Sequence, residues 1–418
     1  MSGETARKTV DDLVSDLVAG RRRFHDLPPD LSADEAASVR RRAVEELNDV
    51  DLRHIGDYSL DAERASTRHC ENFIGAAQVP LGVVGPLRVR GIEVDREVAV
   101  PLATTEGALL ASVNRGCRAV CRAGGAVVRV EDVGITRAPV FRTSGVEETA
   151  SLLDWVAAHE DDIRRAAEKT SRYLHLLDIK ASAIGTTVFL RFRFRTGDAM
   201  GMNMATIACD RIVREVITPA TGVPCIALSG NFCVDKKPAA VNFLEGRGKR
   251  IQAEALLPRE VVESILKSTA EELLEVQYRK NLIGSIAAGA MGNNSHTANV
   301  LAALFVATGQ DLAHVVEGSM AVVTIEQRDA GAVLFSVMIP ALLVGVVGGG
   351  TGLATQAEGL ALLGVEVDPL RPGAAAMQFA EIAGATVLAG EISLMSALAS
   401  GDLARAHERL GRAGPDRH

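Results

Sequence analysis

The sequence predicts an α+β fold, in which a large, helix-rich mixed body is interrupted by a small β-α-β-β-α-β unit. Three observations carry that reading. The apolar pattern changes repeatedly between the period of a helix and that of a strand. Six elements in a ferredoxin-like order follow one another between residues 138 and 227. The sequence on either side of them shares one Gly/Ala-rich helical style, so the unit reads as an insertion. The divisions are an N-terminal helical domain at 1–60, a discontinuous large domain at 61–137 and 228–418, and the small domain at 138–227.

In chain order, "LSADEAASVRRRAVEELNDV" predicts a helix capped by Ser32, with acidic residues in its first turn. The Arg21–Arg23 run reads as surface. "VPLGVVGPLRV" and "REVAVPLATT" read as strands broken by Gly and Pro, and "EGALLASVNRGCRAVCRAGG" as a helix closed by glycines. In the small unit come the strand "PVFRT", one amphipathic helix from Val146 to Tyr173, and the strands "LHLLDIKASAI" and "TTVFLRFRFRT". Leu190, Phe192 and Phe194 alternate there with Arg191, Arg193 and Arg195, as in a half-buried strand. A helix beginning near Asp198, with Gly201 in its first turn, is stopped by Thr218-Pro219, and "VPCIALSG" is the last strand. Helices follow at about 258–280, 295–308 and 373–400, with a strand pair in "MAVVTIEQRDAGAVLFSVMIP" between the last two.

Composition bounds the function. The 418 residues are 47% apolar, 23% charged and only 4% aromatic, which suits a folded chain of closely packed helices. A net charge of −8 argues against a nucleic-acid binder without excluding an anionic small ligand. Six scattered cysteines with no CxxC read as reduced thiols in a cytoplasmic protein, and no metal site is expected. "MSGETARKTVDD" is not a signal peptide. Two uncharged runs, Asn281–Gln310 and Ala330–Gln356, are broken by "GNNSH" and by Pro340 and "VVGGGTG". Both read as buried elements of a soluble core rather than membrane spans.

The common nucleotide and hydrolase motifs fail. "EGRGKR" lacks P-loop spacing, "GVVGGGTGLA" is no GxGxxG, and neither HExxH nor GxSxG occurs. "RTGDAMGMN" does fit anion binding, because a strand runs through glycines into a helix N-terminus with free N–H groups. It fits an ordinary Gly-containing helix start as well. Taken singly, Glu106 reads as an acidic residue of a first helical turn, Asp311 as a cap, His407 as a surface residue, and His296 as the neighbour of a cap.

Together these segments say more. "ENFIG", "PLGVVGPL", "TTEGALLASVNRGCRA", "GDAMGMNM", "SGNFCVDKKPAAVN", "EGRGK", "NLIGSIAAGAMG", "GQDLAHVVEGS", "VGVVGGGT" and "AGEISLMSALASGDLARAH" occur in order. Over about residues 60 to 410 the chain resembles class I 3-hydroxy-3-methylglutaryl-CoA (HMG-CoA) reductase, in a soluble bacterial-type form. The resemblance implies a four-electron reduction of HMG-CoA to mevalonate with two NADPH, in isoprenoid biosynthesis. It also implies a cofactor-binding small domain without a Rossmann fold, and an active site shared between two subunits of a homodimer or a dimer of dimers.

The resemblance further implies a catalytic set of Glu106, Lys236, Asp311 and His407. The chemistry needs these types. Each hydride addition builds charge on a carbonyl oxygen that the Lys236 ammonium can stabilise. Glu106 would supply the proton, with its pKa raised by burial. Asp311 would bridge Lys236 and Glu106, and His407 would protonate the departing CoA thiolate. The positions matching the carboxylate site are Arg137, Ser229, Asp235, Lys237, Lys280 and Asn299. Those matching the NADPH site are Asp198, Met200, Gly201, Asn203 and Asn114, with Ser171 and Arg172 at the 2′-phosphate. Arg115, Lys267 and His296 match CoA contacts.

Further implications are a cis peptide bond at Cys233–Val234 and a flexible C-terminal segment from about 396 to 418. Ala413 stands where eukaryotic members carry a regulatory serine, so that phosphorylation is not expected. "GAMGNNSH" is one residue shorter than in animal forms, which bears on the register of His296. The competing readings are the same chemistry run oxidatively with NAD, against which Arg172 argues, and a CoA-thioester acyl-transferase or hydrolase, for which no Ser/His or Cys/His pair is in evidence.

Overall fold

The computed structural model of the chain describes residues 8–400. Near its start the helices Val10–Val18 and Ala33–Asn48 each begin with a complete capping box, at Thr9 and at the expected Ser32. They close on a small core of Leu13, Leu17, Val39 and Ala43.

Ten strands follow: β1 Leu81–Arg90, β2 Asp95–Ala103, β3 Ala126–Arg137, β4 Val140–Arg142, β5 His175–Ile184, β6 Thr187–Arg195, β7 Cys225–Ala227, β8 Gly248–Leu257, β9 Val322–Gln327 and β10 Val333–Leu342. They join in one sheet, along the path β7-β4-β6-β3-β8-β10-β9, with β5 on β6 and with β1 on both β2 and β3. β3 is the connecting strand. Its residues Val127–Gly134 pair with β8, and its last three, Ile135–Arg137, pair with β6. The β4–β7 stretch therefore hangs from the tip of β3 and has its own core, around Phe141, Leu152, Phe192, Phe194 and Ile212. The larger core lies between β1, β3, β8 and β10 and the helices Leu109–Arg122, Thr297–Thr308 and Ala374–Ala399.

Ala374–Ala399 is the one described helix long and apolar enough to cross a membrane, and it is buried inside the protein. Its two carboxylates are both satisfied. Glu381 accepts the N–H groups of Ile92, Glu93 and Val94 in the turn between β1 and β2. Glu391 accepts the N–H groups of Ser295 and His296 and the Thr297 hydroxyl. A buried carboxylate is tolerable when its lone pairs are filled in this way. Here each one ties a loop to the central helix.

Several expectations change. Arg191 on β6 is buried, because the helix Ala240–Glu245 covers that face and Glu245 and Asn242 accept its guanidinium. The helix after β6 starts at Met202, not near Asp198, since Gly201 sits at φ +95°, outside helical space. Pro219 does not stop that helix. It falls in the first turn of the short helix Thr218–Thr221, and Gly222 ends the run in the left-handed conformation. The helix from Val146 breaks at His159, and the predicted 258–280 helix breaks at Lys267, whose φ is +57°. The last helix continues to Ala399, so 396–399 is ordered within it.

Each of the two uncharged runs is buried only in part: Ala330–Gln356 is buried along β10 and exposed at Val347–Gly349, and Asn281–Gln310 is buried along its Thr297–Thr308 helix, with Ile283 48% and Ile286 68% exposed. Among the described residues the only cis peptide is Gly85–Pro86, so the Cys233–Val234 bond is trans. That loop turns instead through left-handed residues, with Asn231 at φ +62°, Val234 at +49° and Lys236 at +59°. All six cysteines are free.

Candidate active site

A cavity of about 790 Å³ opens between the two cores. One wall is the start of the Met202–Ile212 helix, and a second is the loop from Gly345 to Thr351. The two approach so closely that a Cβ on Gly345 would lie 2.2 Å from the Met200 backbone nitrogen. On the first wall a Cβ on Gly201 would meet the Thr196 side chain at 2.4 Å, so only glycine allows this turn. The N–H groups of the first helical turn, from Met202 on, have no intrahelical acceptor and lie at the cavity. Tyr173 packs beside Gly197, and Arg172 lies over the Tyr173 ring, so Ser171 and Arg172 sit next to this loop.

The third wall carries charge. The Lys236 Nζ is 2.8 Å from Asp311 Oδ2, and both side chains reach the cavity. Asp311 also caps the short turn Leu312–His314 through the Ala313 N–H, so its capping and ion-pairing roles coexist. The hydrogen bond to Asp311 raises the Lys236 pKa. Burial pushes the Asp311 carboxyl up, but Lys236 and His314 outweigh it and hold it below its ordinary value.

Beneath the pair is a buried network absent from the predicted site. Arg247, fully buried, donates to Glu317 at 2.7 Å and to Asp235 at 3.0 Å. Glu317 also accepts the Lys236 backbone N–H, at 2.9 Å, and contacts His314 Nδ1 at 2.9 Å. The signal for these residues was present in "EGRGK" and "GQDLAHVVEGS". Arg247 is the one arginine inside the first motif, and His314 and Glu317 lie three and six residues after Asp311.

Seven of the predicted residues thus line one cavity: Arg137, Met200, Gly201, Asn203, Asp235, Lys236 and Asp311. Arg137 is held by the Thr206 hydroxyl. Ser229 and Lys237 lie on the same loop as Lys236, with Ser229 Oγ 3.6 Å from Cys233 Sγ and Lys237 Nζ on the Asp235 carbonyl. Asp198 serves differently. Its carboxylate accepts the N–H groups of Gly373 and Ala376 and caps the long helix, which makes it a strut under the cavity.

A second cluster forms elsewhere. Glu106 accepts from Asn299 at 2.8 Å, and Lys280 donates to Asn281 and Ser295 nearby. Burial lowers the Lys280 pKa against the pull of Glu391. His296 is buried at the start of the same helix. Asn299 lies in the first turn of Thr297–Thr308, and Asp311 lies beyond its far end. A rise of 1.5 Å per residue separates them by more than about 14 Å. Asp311 therefore does not bridge Lys236 and Glu106 within one chain. Glu106 is exposed, so the burial its proton-donor role calls for is not supplied there.

The other predicted contacts are scattered. Asn114 accepts the Gly85 N–H, Arg115 donates to Ser393, and Lys267 is exposed at its helix break. His407 lies outside the described residues.

A cavity with a charged pair facing a glycine-shaped helix start has the chemistry of an active site, and the family to which the chain belongs makes the protein an oxidoreductase. A family model described as hydroxymethylglutaryl-coenzyme A reductase matches residues 36–412, and the chain belongs to that family. It is 52% identical to the 3-hydroxy-3-methylglutaryl-coenzyme A reductase of Methanothermobacter thermautotrophicus, over 96% of this chain and 99% of the relative. It is 40% identical to reductase 1 of Hevea brasiliensis, over 97% of this chain and 71% of the relative. The fold is similar to the class II enzyme of Streptococcus pneumoniae, solved bound to NADPH. The TM-score is 0.65 at 17% identity, covering 94% of this chain and 97% of that one.

Proposed function

We propose that the protein reduces (S)-HMG-CoA to (R)-mevalonate and CoA with two NADPH, in the mevalonate route to isoprenoids. The observation that carries this reading is the Lys236–Asp311 pair facing the Met200–Asn203 turn across one cavity. The left-handed Gly201, the free N–H groups after it and the neighbouring Arg172 fit a nicotinamide dinucleotide, which supplies the hydride when bound. Lys236 stabilises the oxygen that gains charge in each reduction, first to the hemithioacetal and then from the aldehyde. Asp311 holds the ammonium in place. Arg137, Ser229, Asp235 and Lys237 orient the substrate carboxylate. His407 protonates the CoA thiolate.

Glu106 serves the same oxygen from a second copy of the chain. The exposed apolar stretch at Ile283 and Ile286 follows Lys280 of the Glu106–Asn299 cluster, and the exposed Leu312 and Val316 follow Asp311. Both half-sites therefore sit beside apolar surface suited to a homodimer. The class I reading rests on the "DAMGMN" and "DKKPAAVN" segments and on the low identity to the class II structure. The soluble bacterial-type form and cytoplasmic location stay with it as our reading, although the relatives named above are archaeal and plant. We also read 138–227 as the inserted cofactor domain.

The test is NADPH oxidation measured with HMG-CoA and with free mevaldehyde. Wild-type protein should use both, and kcat/KM should favour NADPH over NADH. His407→Gln should still reduce mevaldehyde and fail on the thioester. An equal loss on both substrates would remove the thiolate role, and a wild-type protein that consumes no NADPH with HMG-CoA would overturn the function.

A further inference from the structure

His314 is fully buried beneath the Lys236–Asp311 pair. Its Nδ1 contacts Glu317 Oε2 at 2.9 Å. Its Nε2 has no hydrogen-bond partner, yet it points at carboxylates, lying 3.5 Å from Asp311 Oδ2 and 4.0 Å from Asp235 Oδ1. Asp311 Oδ2 is also the oxygen that Lys236 grips.

The charges of the cluster argue for a proton on both ring nitrogens. Asp235, Asp311 and Glu317 bring three negative charges, while Lys236 and Arg247 bring two positive ones. A neutral imidazole aims either a lone pair or an unmatched tautomer at the carboxylates around it. An imidazolium balances the cluster and satisfies Glu317 through Nδ1–H. Asp235, His314 and Glu317 also stand close enough together to suggest a cation site. Arg247 already donates to both flanking carboxylates, so the positive charge there belongs to the protein.

We propose that His314, held as an imidazolium by Glu317, is a positioning residue that steadies Asp311 while Lys236 is shared with the substrate oxygen. The Lys236 ammonium has three donors, so it can keep Asp311 while it reaches a developing oxyanion, and as it is shared between the two, Asp311 needs a second partner. A small turn of the Asp311 carboxylate closes the 3.5 Å gap to a charge-assisted bond. Such tightening on going from the free enzyme to the reacting complex is common. Among the described residues that line the cavity, Arg137 is the other cation, and it is held by Thr206. The inference rests on the reductase reading and names a residue that acts through Asp311.

The test is steady-state turnover of His314→Gln. We expect kcat to fall about ten- to hundredfold, as for other supporting partners of a reacting group, with KM for HMG-CoA and NADPH nearly unchanged. Without the imidazolium, Asp311 protonates more readily, so the acid limb of kcat should move to higher pH. Because His314 acts through Asp311, the double variant with Asp311→Asn should be no slower than Asp311→Asn alone. Wild-type kcat and an unmoved acid limb, or additive losses in the double variant, overturn the proposal. If His314→Gln does not fold, ring-labelled wild-type protein gives the answer by NMR. One histidine of the nine should give the ring-nitrogen signal of an imidazolium in the native protein, and that signal should shift in Asp311→Asn. Absence of that signal overturns the proposal. Failure of the wild-type enzyme to turn over would sink the reductase reading, and the NMR measurement would still decide the charge on His314.

Discussion

Lys236 is held by its backbone as much as by its ion pair. Its φ of +59° and that of Val234 at +49° are left-handed, unfavourable for residues with a Cβ and most of all for a β-branched one. Glu317 accepts the Lys236 N–H, and Asn242 donates to the Val234 carbonyl, so the surroundings enforce the turn. Lys236→Ala should leave that scaffold standing. We expect kcat to fall by about a hundredfold or more, the scale of a lost oxyanion donor, with NADPH binding by fluorescence titration little changed. Loss of NADPH affinity in parallel would mean that the lysine holds the fold rather than the reaction.

The same pair has a defined pH window. Asp311 is held below its ordinary value, so its contribution to stability is present above about pH 4 and is lost only as pH falls through the lowered folded value. Lys236 is raised, so its contribution persists at lower pH and is lost as pH rises through a value above about 10. Asp311→Asn should therefore lower the melting temperature by the same modest amount at about pH 6 and pH 8, because both partners keep their charges there. A gap that closes already at pH 6 in scanning fluorimetry would contradict this assignment. At this scale the residues that line the cavity were legible in the motifs. Their support was not, because Arg247, His314 and Glu317 acquire meaning only when two distant segments are brought against each other.

At the scale of elements, the cavity depends on two helix starts that share one turn. Gly201 opens the Met202–Ile212 helix toward the cavity, while Asp198, three residues earlier, caps Ala374–Ala399. The sequence placed a helix start near Asp198 because the strand before it ends and Gly197 turns the chain there. It could not show that the helix being capped is almost two hundred residues away. Asp198→Ala should cost about 1–2 kcal/mol, the range for a lost cap, and should weaken NADPH binding indirectly as the turn loosens. Chemical denaturation against NADPH affinity checks it. A variant of unchanged stability with lost affinity would restore Asp198 to direct cofactor contact. The strand alternation in β6 was likewise readable for the phenylalanines. It failed for Arg191, because a fully covered sheet face can bury an arginine when Glu245 and Asn242 meet it.

At the scale of the molecule, the described residues of one chain hold Glu106 apart from the Lys236–Asp311 pair. The Thr297–Thr308 helix holds the Glu106–Asn299 cluster at one end and leads to the Lys236–Asp311 pair beyond the other. Bending a regular, buried helix to join them would break the core around Val300, Leu304 and Phe305. In the proposed two-fold dimer, each copy would offer both halves without distortion and two complete sites would form. Glu106→Gln and Lys236→Ala should each be inactive as pure dimers. In a mixed dimer, one site carries both substitutions and the other carries neither. Unfolding and refolding an equimolar mixture should therefore restore about a quarter of wild-type activity, because half of the dimers are mixed and each has one intact site. Co-expression with two affinity tags, selecting mixed dimers only, should raise this to about half. If Glu106 and Lys236 instead met within one chain, every site in either preparation would lack one of them. The mixture would then stay inactive at any ratio.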